Sequence, residues 1–138
     1  MHSSAFRPWI ARILVTTVFI MNVQSSLAFI VRPGAHTSGF ELSGTVGLYL
    51  VQAIGILFLI WNATYPPVIF KPAKYRVLFG VVVVQQVIGL AGESWLLSNL
   101  DPGHETLAAT AARFVFFDTL GLIALAAAFL LTREGSRS

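Results

Sequence analysis

The chain of 138 residues contains no cysteine. Disulfide frameworks, thiolate metal sites and cysteine nucleophiles are therefore excluded, and redox chemistry says nothing about compartment. Charge is nearly as scarce. Charged residues make up 11% of the sequence, against about 25% in soluble domains, too few to coat a globule in water. Histidine is confined to His2, His36 and His104, all outside the long apolar runs. Without His or Cys in those runs, axial haem or transition-metal ligation in the apolar core is not expected. His36 with Glu41, or His104 with Asp101 and Glu105, has the residue types for a surface metal, but loops of this composition are ordinarily just solvated. No repeat, low-complexity tract or lipidation motif occurs.

What is abundant is apolar sequence: 56% of residues are hydrophobic and the mean hydropathy is +0.77. A membrane-spanning helix needs about 20 largely apolar residues at 1.5 Å rise each. Four stretches qualify, 9–31, 44–66, 77–98 and 107–131. Short loops join them, leaving no room for a soluble domain, so a single membrane domain is expected. The first loop carries Pro33, Gly34 and Gly39 and ends at Ser43, a good N-cap for the second helix. The second opens with Pro66-Pro67, which removes two backbone donors and should end the second helix. The third offers Asp101, with Pro102 after it, or Thr106 as caps for the fourth helix.

Basic residues near helix ends set orientation, because they stay on the cytoplasmic side. Arg7, Arg12, Lys71, Lys74, Arg76, Arg133 and Arg137 fall on one side and only Arg32 on the other, together with Glu41, Asp101 and Glu105. Both termini and the middle loop are therefore expected in the cytoplasm, in an antiparallel up-down four-helix bundle. The net charge of +3 then points to anionic lipid headgroups and not to nucleic acid. Trp9, Trp95, Tyr65 and Tyr75 lie near segment ends as interface anchors. Asn62 is expected to reach interfacial water close to Tyr65, and its Asn-Ala-Thr sequon to be accidental within the bilayer. A competing reading takes Arg7, Arg12, the apolar stretch 13–21 and Ser26-Leu27-Ala28 as a secretory signal cleaved after residue 28. The apolar run resumes at Phe29, and the even helix count suits the charge rule, so an uncleaved first helix is expected.

Polar residues inside the apolar runs are the candidates for function. A carboxylate at mid-bilayer costs roughly 2.5–3.5 kcal/mol on insertion scales, so Asp118 must be paired or put to use. Counted from the cytoplasmic end, Asn22, Gln24, Gln52 and Asp118 lie at depths of about 20–22 Å, Gln86 at about 13 Å, Glu93 at about 24 Å and Arg113 at about 27 Å. In lipid the cheapest partners for such groups are one another, so they are expected to form one polar centre. Glu93 and Arg113, close in depth on neighbouring helices, are expected to form an ion pair, leaving Asp118 uncompensated as a ligand-binding or proton-carrying group. Of the adjacent Gln85 and Gln86, only one can face the centre. Gly89 and Gly92, like Gly121 and its neighbouring alanines, permit close helix approach. Phe114, Phe116 and Phe117 are expected to fill the bundle or face lipid, with stacking on a flat ligand as the functional alternative.

The size and layout resemble the small multidrug-resistance transporters, a family of dimeric proton-coupled exporters of cationic compounds. The family's defining glutamate lies in the first helix, where this chain has Asn22 and Gln24, so the resemblance is one of layout alone. Sterol-isomerase-like proteins also carry membrane carboxylates, but their motifs do not map onto this chain. The expectation is a small multi-pass protein of a plasma or inner membrane, a non-enzymatic subunit or ligand-binding module without metal or cofactor. A proton-coupled transporter is the first alternative, and an enzyme acting on a lipid or quinone the second. Other membrane subunits, a second copy, or a small hydrophobic or cationic ligand are the expected partners beside the bilayer.

Overall fold

A computed structural model describes residues 3–132, with side chains from residue 6 onward. Among these residues every regular element is helical: α1 (Ser3–Val31), α2 (Gly44–Asn62), α3 (Tyr65–Phe70), α4 (Arg76–Ser98) and α5 (Glu105–Leu131). Two 3-10 turns, Pro33–Ala35 and Ser38–Phe40, lie between α1 and α2. Four stretches are long and apolar enough to cross a membrane: Phe6–Val31, Gly44–Phe70, Arg76–Ser98 and Glu105–Leu131. His2, Arg133 and Arg137, used above, lie outside the described residues.

The second span differs from expectation. It was expected to run unbroken to residue 66, yet α2 ends at Asn62 and a new helix, α3, begins at Tyr65. The two prolines explain both events. Neither can donate a backbone hydrogen bond, and their rings would collide with the carbonyls of Asn62 and Ala63, so α2 cannot pass through them. Proline is nonetheless favoured in the first turn of a helix, and there the same pair starts α3. The Thr64 hydroxyl, in the break, donates to Gln85 Oε1 at 3.0 Å and so ties this corner to α4.

Helix α1 packs against α2, α3 and α5, while α4 packs against α3 and α5. Buried positions recur at three- and four-residue intervals: Ala11, Val15 and Val18 on α1; Phe79, Val82 and Gln86 on α4; Gly121, Leu125 and Ala128 on α5. That spacing lines one face of each helix, and the apolar members form a dense core in one half of the bundle with Tyr65 and Val68 of α3. The opposite faces are apolar too: Leu57, Ile60, Val77, Ile88 and Ile123 are all more than 60% exposed. An apolar outer surface of this kind suits acyl chains as solvent, and the helices are held by close packing and polar contacts.

Polar contacts fasten each end. At one, Arg12 Nε donates to the Ile69 carbonyl at 2.9 Å, satisfying a last-turn acceptor of α3. Arg76 donates to Thr132 Oγ1 at 3.2 Å and lies 4.3 Å above the Phe129 ring. At the other end, Glu41, with its backbone in the left-handed region at φ 54°, reaches across to α5. Its Oε1 accepts from the Leu107 N–H at 3.1 Å, and its Oε2 meets His104 Nδ1. Leu107 N–H is one of the first-turn donors that a helix cannot satisfy internally. A side chain from the first loop thus caps α5, whereas Asp101 and Thr106, the expected caps, do not: His104 occupies the N-cap position and forms no side-chain cap bond. Ser43 stands at the N-cap of α2 as expected, but its hydroxyl makes no cap bond either. The Thr110 hydroxyl donates to the Gly39 carbonyl at 2.6 Å, pinning the loop a second time.

Where α1 crosses α2, there is no room for a side chain at Gly55: a Cβ there would sit 2.8 Å from the Ser26 carbonyl oxygen and 2.9 Å from Phe29 Cβ. At Gly92, by contrast, a Cβ would meet nothing within 4 Å. Gly55→Ala should therefore destabilise the protein by about 1–3 kcal/mol through overpacking. Gly92→Ala should be neutral or slightly stabilising, since only the helix entropy of glycine changes. Thermal unfolding in detergent distinguishes the two, and equal midpoints would contradict the packing described.

Candidate functional site

On α4, Gln86, Gly89 and Glu93 follow one another at intervals of three and four residues and share a face. On α5, Phe114, Asp118 and Gly121 do the same. The two faces meet because glycine removes the obstruction from each. A Cβ at Gly121 would lie 2.9 Å from Gln86 Nε2, and one at Gly89 would lie 3.0 Å from Asp118 Oδ2 and 2.8 Å from the Trp61 ring. With hydrogen there instead, Gln86, only 3% exposed, donates from Nε2 to both the main-chain carbonyl and Oδ1 of Asp118, each at 3.1 Å. Of the two adjacent glutamines, Gln86 thus faces the centre, and Gln85 accepts from Thr64.

A cavity of about 330 Å³ opens beside this contact, between α1, α2, α4 and α5. Its polar lining comes from Asn22 and Ser25 of α1, Asn62 of α2, Gln86 and Glu93 of α4, and Asp118 of α5. Its apolar walls include Phe58, Trp61, Phe114 and Phe117. The carboxyl groups of Glu93 and Asp118 are near enough for each to act electrostatically on the other. Tyr65, fully buried, holds its hydroxyl beside Asn22 and within reach of the Asp118 charge. Three buried polar atoms have no hydrogen-bond partner, namely Asn62 Oδ1, Tyr65 Oη and Glu93 Oε2. A buried polar atom without a partner costs about 1–3 kcal/mol, so three in one neighbourhood are a feature to be explained.

Of the seven residues expected to form one polar centre, Asn22, Gln86, Glu93 and Asp118 line this cavity. Gln52 does not: its Nε2 donates to the Ile30 carbonyl at 3.1 Å, where it fastens α2 to α1. Gln24 and Arg113 line a second cavity of about 430 Å³, under the first loop, with His36, Phe40 and Thr110. The expected ion pair is not formed. Arg113 donates to Thr110 Oγ1 at 3.2 Å, one turn back along its own helix, as a long side chain leaning toward the helix N-terminus should. Depth alone had suggested the pair, but Glu93 and Arg113 belong to different cavities. Ser25, Phe114 and Phe117 line both cavities and stand between them.

Asn62 and Tyr65 correct the reading made from sequence. Both were expected at the interface, yet they are 3% and 0% exposed, whereas Trp9, Trp95 and Tyr75, at 60%, 65% and 38%, are exposed as interface anchors should be. The break at Pro66-Pro67 is responsible: it turns α3 back against α1 and α4, bringing Tyr65 inside. The spacing of Asn62 and Tyr65, three residues apart just before the prolines, was the available signal. Trp61 was not singled out at all, and only its contact with Gly89 identifies it.

At the loop end, the Glu41–His104 contact holds the cover of the second cavity in place. The hydrogen bond from His104, followed by that from Leu107 N–H, lowers the Glu41 pKa below its usual 4.5. The same bond to Glu41 raises the His104 pKa above 6.5. The part of the latch due to protonated His104 is complete below pH 6.5 and is lost as pH rises through the raised value. The part due to ionised Glu41 is complete above pH 4.5 and is lost as pH falls through the lowered one. The latch should accordingly be firmest between those limits. An NMR titration of the His104 ring should give a midpoint above 6.5 that moves back toward 6.5 in Glu41→Gln; an unmoved midpoint would show that the two groups are uncoupled.

Comparison of the chain with protein-family models, curated proteins and solved structures finds no match, so the polar cavity between α1, α2, α4 and α5 is what speaks to function.

Proposed function

We propose that this small membrane protein is a non-enzymatic ligand-binding module whose central cavity receives a small molecule within the bilayer. The observation that carries this reading is the convergence of Asn22, Asn62, Gln86, Glu93 and Asp118 on one cavity with apolar walls. Polar groups in hydrocarbon find partners, and a bound molecule would supply them. A volume of about 330 Å³ lies at the small end of the range for ligand sites, and apolar walls with a few convergent polar groups are the usual construction. The four spans run antiparallel, up and down, in a plasma or inner membrane, with both termini in the cytoplasm. Support for that orientation comes from Arg7, Arg12, Lys71, Lys74 and Arg76, which belong to one side by the positive-inside rule, against Arg32 on the other.

Proton-coupled transport is a second reading, favoured by the shared lining of the two cavities. Ser25, Phe114 and Phe117 border both, so these side chains lie between a ligand beside Asp118 and the space under the first loop. A carboxyl group able to exchange its proton for the ligand would couple the two movements.

Two measurements test these proposals. Small molecules extracted from the purified protein in lipid nanodiscs should include one enriched over empty discs, and it should be missing from folded Ala124→Phe and Ser25→Phe, which fill the cavity from two sides. Identical extracts from all three proteins would sink the ligand-binding reading. For orientation, the absence of cysteine makes single-cysteine labelling direct. A membrane-impermeant maleimide added to intact cells should label Ser38→Cys, and should label Lys74→Cys only after permeabilisation; the reverse pattern would invert the protein.

A further inference from the structure

Two residues that line the cavity, Asn62 and Glu93, each carry an unpartnered oxygen that accepts. Asn62 is 3% exposed, and its amide nitrogen is committed to the Phe58 carbonyl at 2.7 Å. Its oxygen, which only accepts, has no partner, and one N–H of the amide is also uncommitted. Glu93 Oε2 is likewise without a donor. Asp118 accepts from Gln86 through Oδ1, and its carboxyl group lies against that of Glu93.

Basic side chains do not make up the deficit. The lining of the cavity contains no Lys, Arg or His, and Arg113, the base nearest along α5, lies in the second cavity bonded to Thr110. Two carboxyl groups therefore share a water-poor space with no positive charge of the protein's own. A buried carboxyl group stays ionised only beside a cation or a metal, and otherwise holds a proton. A hard metal ion does not suit this one, because calcium takes 6–8 oxygen ligands and magnesium a near-ideal octahedron, whereas most of this wall is apolar. No group of three His, Cys, Asp or Glu that could hold a metal occurs among the described residues. The aromatic residues Trp61, Phe58, Phe114 and Phe117 instead offer ring faces, which attract organic cations.

We propose that the cavity binds a protonated amine with an apolar, ring-sized body, its ammonium group donating to Glu93 and Asp118 while the body rests on the aromatic wall. An ammonium group has three N–H donors, enough to bridge two neighbouring carboxyl groups. A quaternary ammonium ion has none, and a neutral molecule brings no charge to favour the ionised form of either carboxyl. This inference rests on the ligand-binding reading above and names the class of ligand for the same cavity.

The test compares phenethylamine with phenethyl alcohol, which has the same body and no charge. The full chain is placed in zwitterionic nanodiscs, with Trp9→Phe and Trp95→Phe at the two exposed tryptophans, so that fluorescence reports on Trp61 in the cavity wall. At neutral pH the amine should bind at least tenfold more tightly than the alcohol. Asp118→Asn and, independently, Glu93→Gln should each weaken the amine at least tenfold and leave the alcohol unchanged, so that misfolding of one variant does not remove the test. Equal binding of amine and alcohol, both abolished by Ala124→Phe, would overturn the ammonium assignment and leave a ligand-binding cavity standing. Amine binding undiminished in both carboxyl variants would overturn it as well. Failure of the broader reading looks different: neither probe alters Trp61 fluorescence, and the nanodisc extracts match those of empty discs.

Discussion

The close approach of α4 and α5 is the constraint on which the rest of this protein depends. In a bilayer, helix association draws little from the hydrophobic effect, because lipid tails are as apolar as leucine side chains. What remains is packing and the satisfaction of polar groups, and Gly89 and Gly121 provide for both. Each leaves a space that a Cβ would close, one against Asp118 and Trp61, the other against Gln86. Through those spaces the Gln86 amide reaches the carboxyl and the main chain of Asp118. That contact turns Asp118 into the bundle, fixes the register of two helices and brings Glu93, seven residues beyond Gln86, to the same cavity.

Around this contact the molecule divides into regions of different character. One half is a dense apolar core in which Val15, Phe79, Val82 and Leu125 are fully buried. The half toward the first loop is held by aromatic rings, with Phe29, Phe40, Phe58 and Phe114 in mutual edge and stacked contacts, and by the Glu41 contacts to α5. Between the two lies the polar cavity, where packing is incomplete and two carboxyl groups share the lining. Protein interiors ordinarily avoid such a combination, since voids and unmet polar groups both destabilise. Here both are concentrated in one place that opens at the bundle surface beside Met21, Phe117 and Leu120.

Much of the architecture was legible in the residues, because the bilayer imposes a length and a composition that a sequence must display. Four apolar runs identified four spans, and their ends agree with the helices to within a few positions. Pro66-Pro67 marked a true break, although its consequence, a separate α3 that carries Tyr65 inward, requires knowing which way the chain turns after it. For the site, the depth count put Asn22 and Asp118 at one level, with Glu93 about 4 Å to one side of it and Gln86 about 7 Å to the other, and all four share one cavity. The same count misplaced Gln52, Gln24 and Arg113, because depth carries no information about azimuth. Two residues at equal height can face opposite sides of a helix, so the Glu93–Arg113 pair, sound in height, fails in direction.

The sequence by itself determined that this chain is helical, that it has four segments able to span a membrane, and that it carries carboxyl groups where hydrocarbon cannot solvate them. Those properties follow from composition and spacing, which the solvent reads locally. Which polar groups meet was decided only by tertiary structure: Gln86 with Asp118, Glu41 with the first turn of α5, Thr64 with Gln85. Each of these depends on how helices rotate about their own axes and how closely they approach, and both are set by glycines and side-chain shapes on neighbouring helices, beyond the reach of any single segment's pattern.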